Sequence, residues 1–225
     1  MTQNKIKEII DLLNTLNEYI LSLPDDMLLN IDPRDNESLD QGVQFIKEFN
    51  DNSDEFSLAA AKIEQQIKQF FSVNPEDEEV EKEESSSSDS NTRIIKDLDR
   101  TEPHSLDESF TYKRPYGFVL GSAAYKGLKT WRSLYLQTLA ELLSLDPDRF
   151  SRLPQEEKFV SRRGNSWFTT QQEGLRFPVK LEAGFYVEAN LSANSIRDNI
   201  KELLTHFGLD YKDMRIYLRE DRDAA

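Results

Sequence analysis

The chain has 225 residues and a formal charge of −14, with no cysteine and only two histidines, His104 and His206. Disulfides, thiolate nucleophiles and cysteine-ligated metals are therefore excluded. No apolar run approaches the roughly 18–20 residues that span a bilayer, and the polar start from Thr2 to Lys5 is unlike a secretory signal. The expectation is a cytoplasmic protein. The charge is uneven: residues 1–92 hold 7 basic and 22 acidic side chains, whereas residues 109–219 hold 17 basic and 12 acidic. A polyanion would be repelled by the front and tolerated by the back.

The first element spans residues 3–23. Ile6, Ile9, Leu13, Leu16, Ile20 and Leu23 alternate at spacings of three and four, the a/d seam of a coiled coil. Pro24 is expected to end it. After the connection PDDMLLNIDPRD, Asp35 or Asn36 caps a second helix. In that helix Ile46, Phe49, Phe56, Ile63, Ile67 and Phe70 keep the same register. One long helix, or two nearly collinear ones, packs antiparallel on the first. A small helical bundle is the alternative. Residues 1–73 read as an interaction module, with Ile6, Leu13, Leu16, Ile20, Ile46, Phe56, Ile63, Ile67 and Phe70 facing a partner or a second copy.

Residues 74–109 read as a linker, because PEDEEVEKEESSSSDSN is too polar to bury a core. Residues 110–220 read as a compact domain of order β-β-α-β-β-β-α-β, followed by a tail over 221–225. Gly121-Ser122 suits a hairpin turn, Thr130 suits a helix cap, and Phe159-Val160 and Trp167-Phe168 suit two strands around Arg162–Asn165. The fold class is α+β.

The stretch GFYVEANLSANSIRDNIKELLTHFG, Gly184 to Gly208, reads as strand, polar turn and amphipathic helix. Asn190, Ser192 or Asn194 is the N-cap, and Gly208 is the stop. Two readings of the polar turn stay open: capping, or a polar or anionic ligand held at the helix N-terminus. This stretch, with the Trp131 helix and the Trp167-Phe168 strand, resembles a domain at the C-terminus of bacterial proteins near mobile-element or defence genes. The resemblance implies a bacterial setting and a domain boundary, and no activity.

Searching for chemistry excludes most templates. There is no Gly-rich phosphate loop, no H-E-x-x-H and no histidine pair. Neither a catalytic set nor a metal or cofactor site is expected. Glu182 and Glu188 share a strand face if the strand is unbroken, and with Asp198 they are the carboxylates of the alternative, a metal-dependent nuclease. Anion or nucleic-acid contacts are expected from Lys126, Lys129, Arg132, Arg162, Arg163 and Asn165, converging on Asn190, Ser192, Asn194 and Ser195. The sequence thus reads as an adaptor whose helical front binds protein and whose rear binds nucleic acid, a nucleotide or a partner protein. A purely structural subunit is the remaining alternative.

Overall fold

The computed structural model describes residues 2–29, 31–32, 34–71, 88–160, 166–173, 175 and 177–219. Two long helices, α1 (Thr2–Leu29) and α2 (Asn36–Phe71), fold back on each other as a hairpin. The Asp35 side chain caps α2 by accepting from the Glu37 N–H at 3.1 Å. The weak helix formers at Asn50–Asp54 do not interrupt it. At helix level, Asn17 meets Ser57 at 2.5 Å.

Pro24 does not end α1; the helix runs through it to Leu29. An internal proline removes one backbone bond and costs about 3 kcal/mol. Contacts beyond it compensate: Asp25 is anchored on the rear domain by two hydrogen bonds.

The rear domain follows the expected order with one short helix added. Its elements are β1 (Pro115–Leu120), β2 (Ala123–Lys126), α4 (Trp131–Leu145), α5 (Pro147–Ser151), β3 (Phe168–Thr169), β4 (Pro178–Lys180), β5 (Tyr186–Glu188), α6 (Ala193–His206) and β6 (Arg215–Leu218). They make two antiparallel three-stranded sheets, β2-β1-β6 and β3-β5-β4. Leu120 opposes Ala123 across a two-residue turn, with Gly121 at φ +58° as such a turn requires. Phe159 lies in a 3-10 turn rather than in a strand, and Val160 makes one bridge to Ser166. Helices α4 and α6 supply Trp131, Leu134, Tyr135, Leu139, Ile196, Ile200, Leu203 and Leu204 to one core with Phe118, Phe168, Val187 and Ile216, all at most 1% exposed. Thr130 caps α4 and Ser192 caps α6. Past Gly208, at φ +76°, the Leu209 N–H returns to the Leu204 carbonyl at 2.9 Å.

Part of the segment read as linker is built structure. Residues Ser88–Leu98 form α3, which lays Ile94 and Leu98 on Val119, Ala124 and Tyr217. Beyond it His104 exchanges both backbone bonds with Ile216, at 2.7 and 2.9 Å, extending the β2-β1-β6 sheet, and Leu106 is fully buried. The acidic composition of the whole segment hid this short apolar stripe at helical spacing. The acidic, serine-rich core of that reading, residues 72–87, lies outside the described residues.

Candidate functional site: the seam between hairpin and rear domain

The hairpin meets the rear domain along α1. Asp11, Glu18 and Asp25 stand seven residues apart, so they lie on one face about 10.5 Å apart along the axis. Each meets a group that attracts negative charge. The Lys129 ammonium donates to Asp11 at 3.1 Å. The Trp131 N–H, in the first turn of α4, donates to the Glu18 carboxylate. At the start of α6, Ser192 Oγ and Asn194 Nδ2 donate to Asp25 Oδ2 at 3.2 and 3.1 Å. The first-turn N–H groups of a helix lack intrahelical partners and carry its positive end, so carboxylates settle there.

Between these contacts sits a closed triangle of neutral groups. Asn17 Nδ2 donates to Asn190 Oδ1 at 3.0 Å, Asn190 Nδ2 donates to Ser57 Oγ at 3.1 Å, and Ser57 Oγ donates to Asn17 Oδ1. The turn residue Asn190 thus joins both hairpin helices to the rear domain. Beside it lies a cleft of about 430 Å³, with Asn14, Glu18 and Gln65 on the hairpin side and Lys129, Arg132 and Asn190 on the domain side.

The carboxyl end of Glu18 is buried, and its Oε2 finds no hydrogen-bond partner among the described residues. Burial pushes its pKa up to about 7; the Trp131 N–H and the cations Arg219 and Arg114 pull the other way and recover only part of the cost.

Of the residues expected to bind an anion, Lys129, Asn190, Ser192 and Asn194 meet side chains of α1. Lys126 pairs with Asp97 at 3.5 Å and Lys129 with Asp11. Ser195 donates its N–H to Ser192 Oγ at 3.2 Å, and Asn194 also accepts from the Phe110 N–H at 2.9 Å. Arg132 is exposed at the cleft. Arg162, Arg163 and Asn165 lie outside the described residues. Of the three cap candidates Ser192 is the cap, and the Ser192 and Asn194 side chains also hold Asp25 of the same chain.

The carboxylates considered for metal chemistry are tied into the fold. Glu188 accepts from the Phe177 and Asn190 N–H groups, each at 3.0 Å, and Asp198 pairs with Arg197 at 2.8 Å. Glu182 falls before the Gly184 turn and outside β5, so it shares no strand face with Glu188. Among the described residues no three His, Asp or Glu side chains gather as a metal site. His104 Nδ1 is held by Glu108 at 2.9 Å. The His206 ring packs edge-on against Phe159, and burial, then Lys158, lowers its pKa.

No family model matches the chain, and no curated protein or solved structure matches it. Among the described residues no helix is long and apolar enough to cross a membrane.

Away from the seam the hairpin exposes several large apolar side chains. Of the predicted interface residues, Ile6 is buried, and Leu13, Ile20, Ile46, Phe56 and Ile67 are half-buried. Leu16, Ile63 and Phe70 remain exposed, Phe70 to 82%, joined by Leu12 at 62%. Sequence reasoning missed Asp11, Glu18 and Asp25. Their seven-residue spacing beside the apolar seam was the available signal.

Proposed function

We propose that this protein is a non-catalytic, cytoplasmic adaptor whose helical hairpin binds protein through the face turned away from the rear domain. The carrying observation is the exposed apolar face at Leu12, Leu16, Ile63 and Phe70. Apolar patches of this kind on a folded chain are sites of association. The seam of Asp11, Glu18 and Asp25 seats the hairpin on the rear domain and presents that face outward. The resemblance of the Gly184–Gly208 stretch supports a bacterial setting near defence or mobile-element genes. The test compares full-length wild type with Leu12→Glu/Leu16→Glu as bait in extract of the native host. At least one captured protein, untagged copies of this chain included, is expected to fall about tenfold, a loss of about 1.4 kcal/mol. An unchanged set of captured proteins from a folded variant sinks the reading.

A second reading has its own support: α1 places three carboxylates on groups that would equally accept phosphates. In it, the rear domain binds single-stranded nucleic acid once the hairpin lifts away. Full-length Asp11→Asn/Glu18→Gln/Asp25→Asn should then bind labelled single strands in a salt-dependent manner while wild type does not. Equal anisotropy for the two proteins removes this reading.

A further inference from the structure

The outer face of α2 has a pattern that fits its own copy. Ser57 and Ala61 point to the rear domain, by the Asn190 bond and the cleft. At 100° per residue, Ile63 lies about 160° round from Ala61, on the far side. Phe49, Phe56, Ile63 and Phe70 repeat every seven residues there, an uncharged stripe. Beside it, one position earlier in each heptad, run Glu48, Glu55, Lys62 and Gln69. Six of the eight are exposed, Ile63 to 44%, Phe70 to 82%, and Glu48, Glu55, Lys62 and Gln69 with them, while Phe49 and Phe56 are half-buried.

The flanking row changes sign about its own middle. Placing a second α2 antiparallel, with the two-fold axis between Leu58 and Ala59, sets Glu55 against Lys62 of the second copy and Lys62 against its Glu55. Glu48 then faces Gln69 of the second copy. The apolar row meets itself under nearly the same axis, Phe56 near Ile63 and Phe49 near Phe70. An isologous dimer interface must be complementary to itself under a two-fold, and this one is so in its apolar row and in the Glu55–Lys62 pair. A foreign partner places no such symmetry on the row. The opposed faces of two hairpins make a four-helix bundle, with Leu12 and Leu16 of α1 at its side.

From this charge reversal we infer that the outer face of the hairpin binds a second copy of the chain, α2 antiparallel to α2, with reciprocal Glu55–Lys62 pairs. The inference rests on the protein-binding reading and names the partner.

Light scattering on the full chain at tens of micromolar should give twice the 26.2 kDa chain mass. Lys62→Glu sets acid against acid at two places and should raise the dimer dissociation constant roughly tenfold. The swap Glu55→Lys/Lys62→Glu should bring it back, because each new lysine meets a new glutamate. Ile63→Glu should be monomeric, with circular dichroism confirming that it is folded. Lys62 and Glu55 are exposed, so the charge variants report even where Ile63→Glu does not fold. A monomeric wild type overturns the inference, and so does a dimer that Lys62→Glu leaves unchanged or that the swap fails to restore. If wild type is monomeric and Leu12→Glu/Leu16→Glu still loses a captured protein, the copy is wrong and the adaptor reading stands; if nothing is lost, both fall.

Discussion

Replacing Trp131 by alanine should lower stability by about 3–5 kcal/mol, the range for emptying a large aromatic site in a packed core. Trp131 is 1% exposed and stands at the first position of α4. Its ring lies 4.6 Å from that of Phe110, and its Nε1–H donates to the Lys113 carbonyl at 2.8 Å. The substitution removes the ring and leaves that carbonyl without its donor. The backbone N–H that Glu18 uses is also positioned here, so loosening this turn weakens the seam to the hairpin. Urea denaturation followed by circular dichroism gives the value. Trp131→Phe keeps most of the ring and loses the Nε1 bond, at a cost nearer 1 kcal/mol for the bond itself. Equal losses in the two variants would show that the ring volume is not what counts.

The second large effect is a pH dependence carried by Glu18. Its pKa is about 7 in the folded chain and near 4.5 when unfolded. A raised folded value means that the folded state holds the proton more tightly. Its contribution is complete below about pH 4.5 and is lost as pH rises through about 7. The full shift corresponds to about 3 kcal/mol. Other groups titrate in the same window. His206, whose pKa is lowered, costs stability as pH falls below its ordinary value of 6.5. Comparing wild type with Glu18→Gln cancels such terms, since glutamine keeps an acceptor for the Trp131 N–H and has no proton to lose. Relative to Glu18→Gln, wild type should gain up to about 3 kcal/mol between pH 7.5 and pH 4.5. A difference that stays flat across that range would mean that the carboxyl is solvated and the seam looser than described.

How much was legible beforehand follows from the range of each interaction. Capping by Thr130, the Gly208 stop and the Gly121 turn are set by neighbours within a few residues and appear at the expected positions, and Ser192 is the cap among the three candidates at α6. Two departures have a common cause. Pro24 breaks a helix in isolation, yet α1 continues because Asp25, one residue on, is held by Ser192 and Asn194, 167 and 169 residues away. The acidic segment before residue 110 looked uniformly polar, yet Ile94, Leu98 and Leu106 found a sheet surface to cover. In both cases the compensating partner is distant in sequence, so the local pattern alone does not decide the outcome.

The same distinction divides the candidate site. Residue types alone determined that the α6 N-terminus would be rich in Ser and Asn, that the front would be helical and acidic, and that cysteine chemistry would be absent. Local hydrogen bonding and 3.6-residue periodicity act within one stretch of chain, so a string of letters contains them. Only the tertiary structure decided that Asp11, Glu18 and Asp25 meet Lys129 and the starts of α4 and α6, and that Ile63 and Phe70 of α2 are left exposed. Those outcomes depend on which faces of separate elements are brought within a few ångströms, and the energy that selects them exists only once the elements have met.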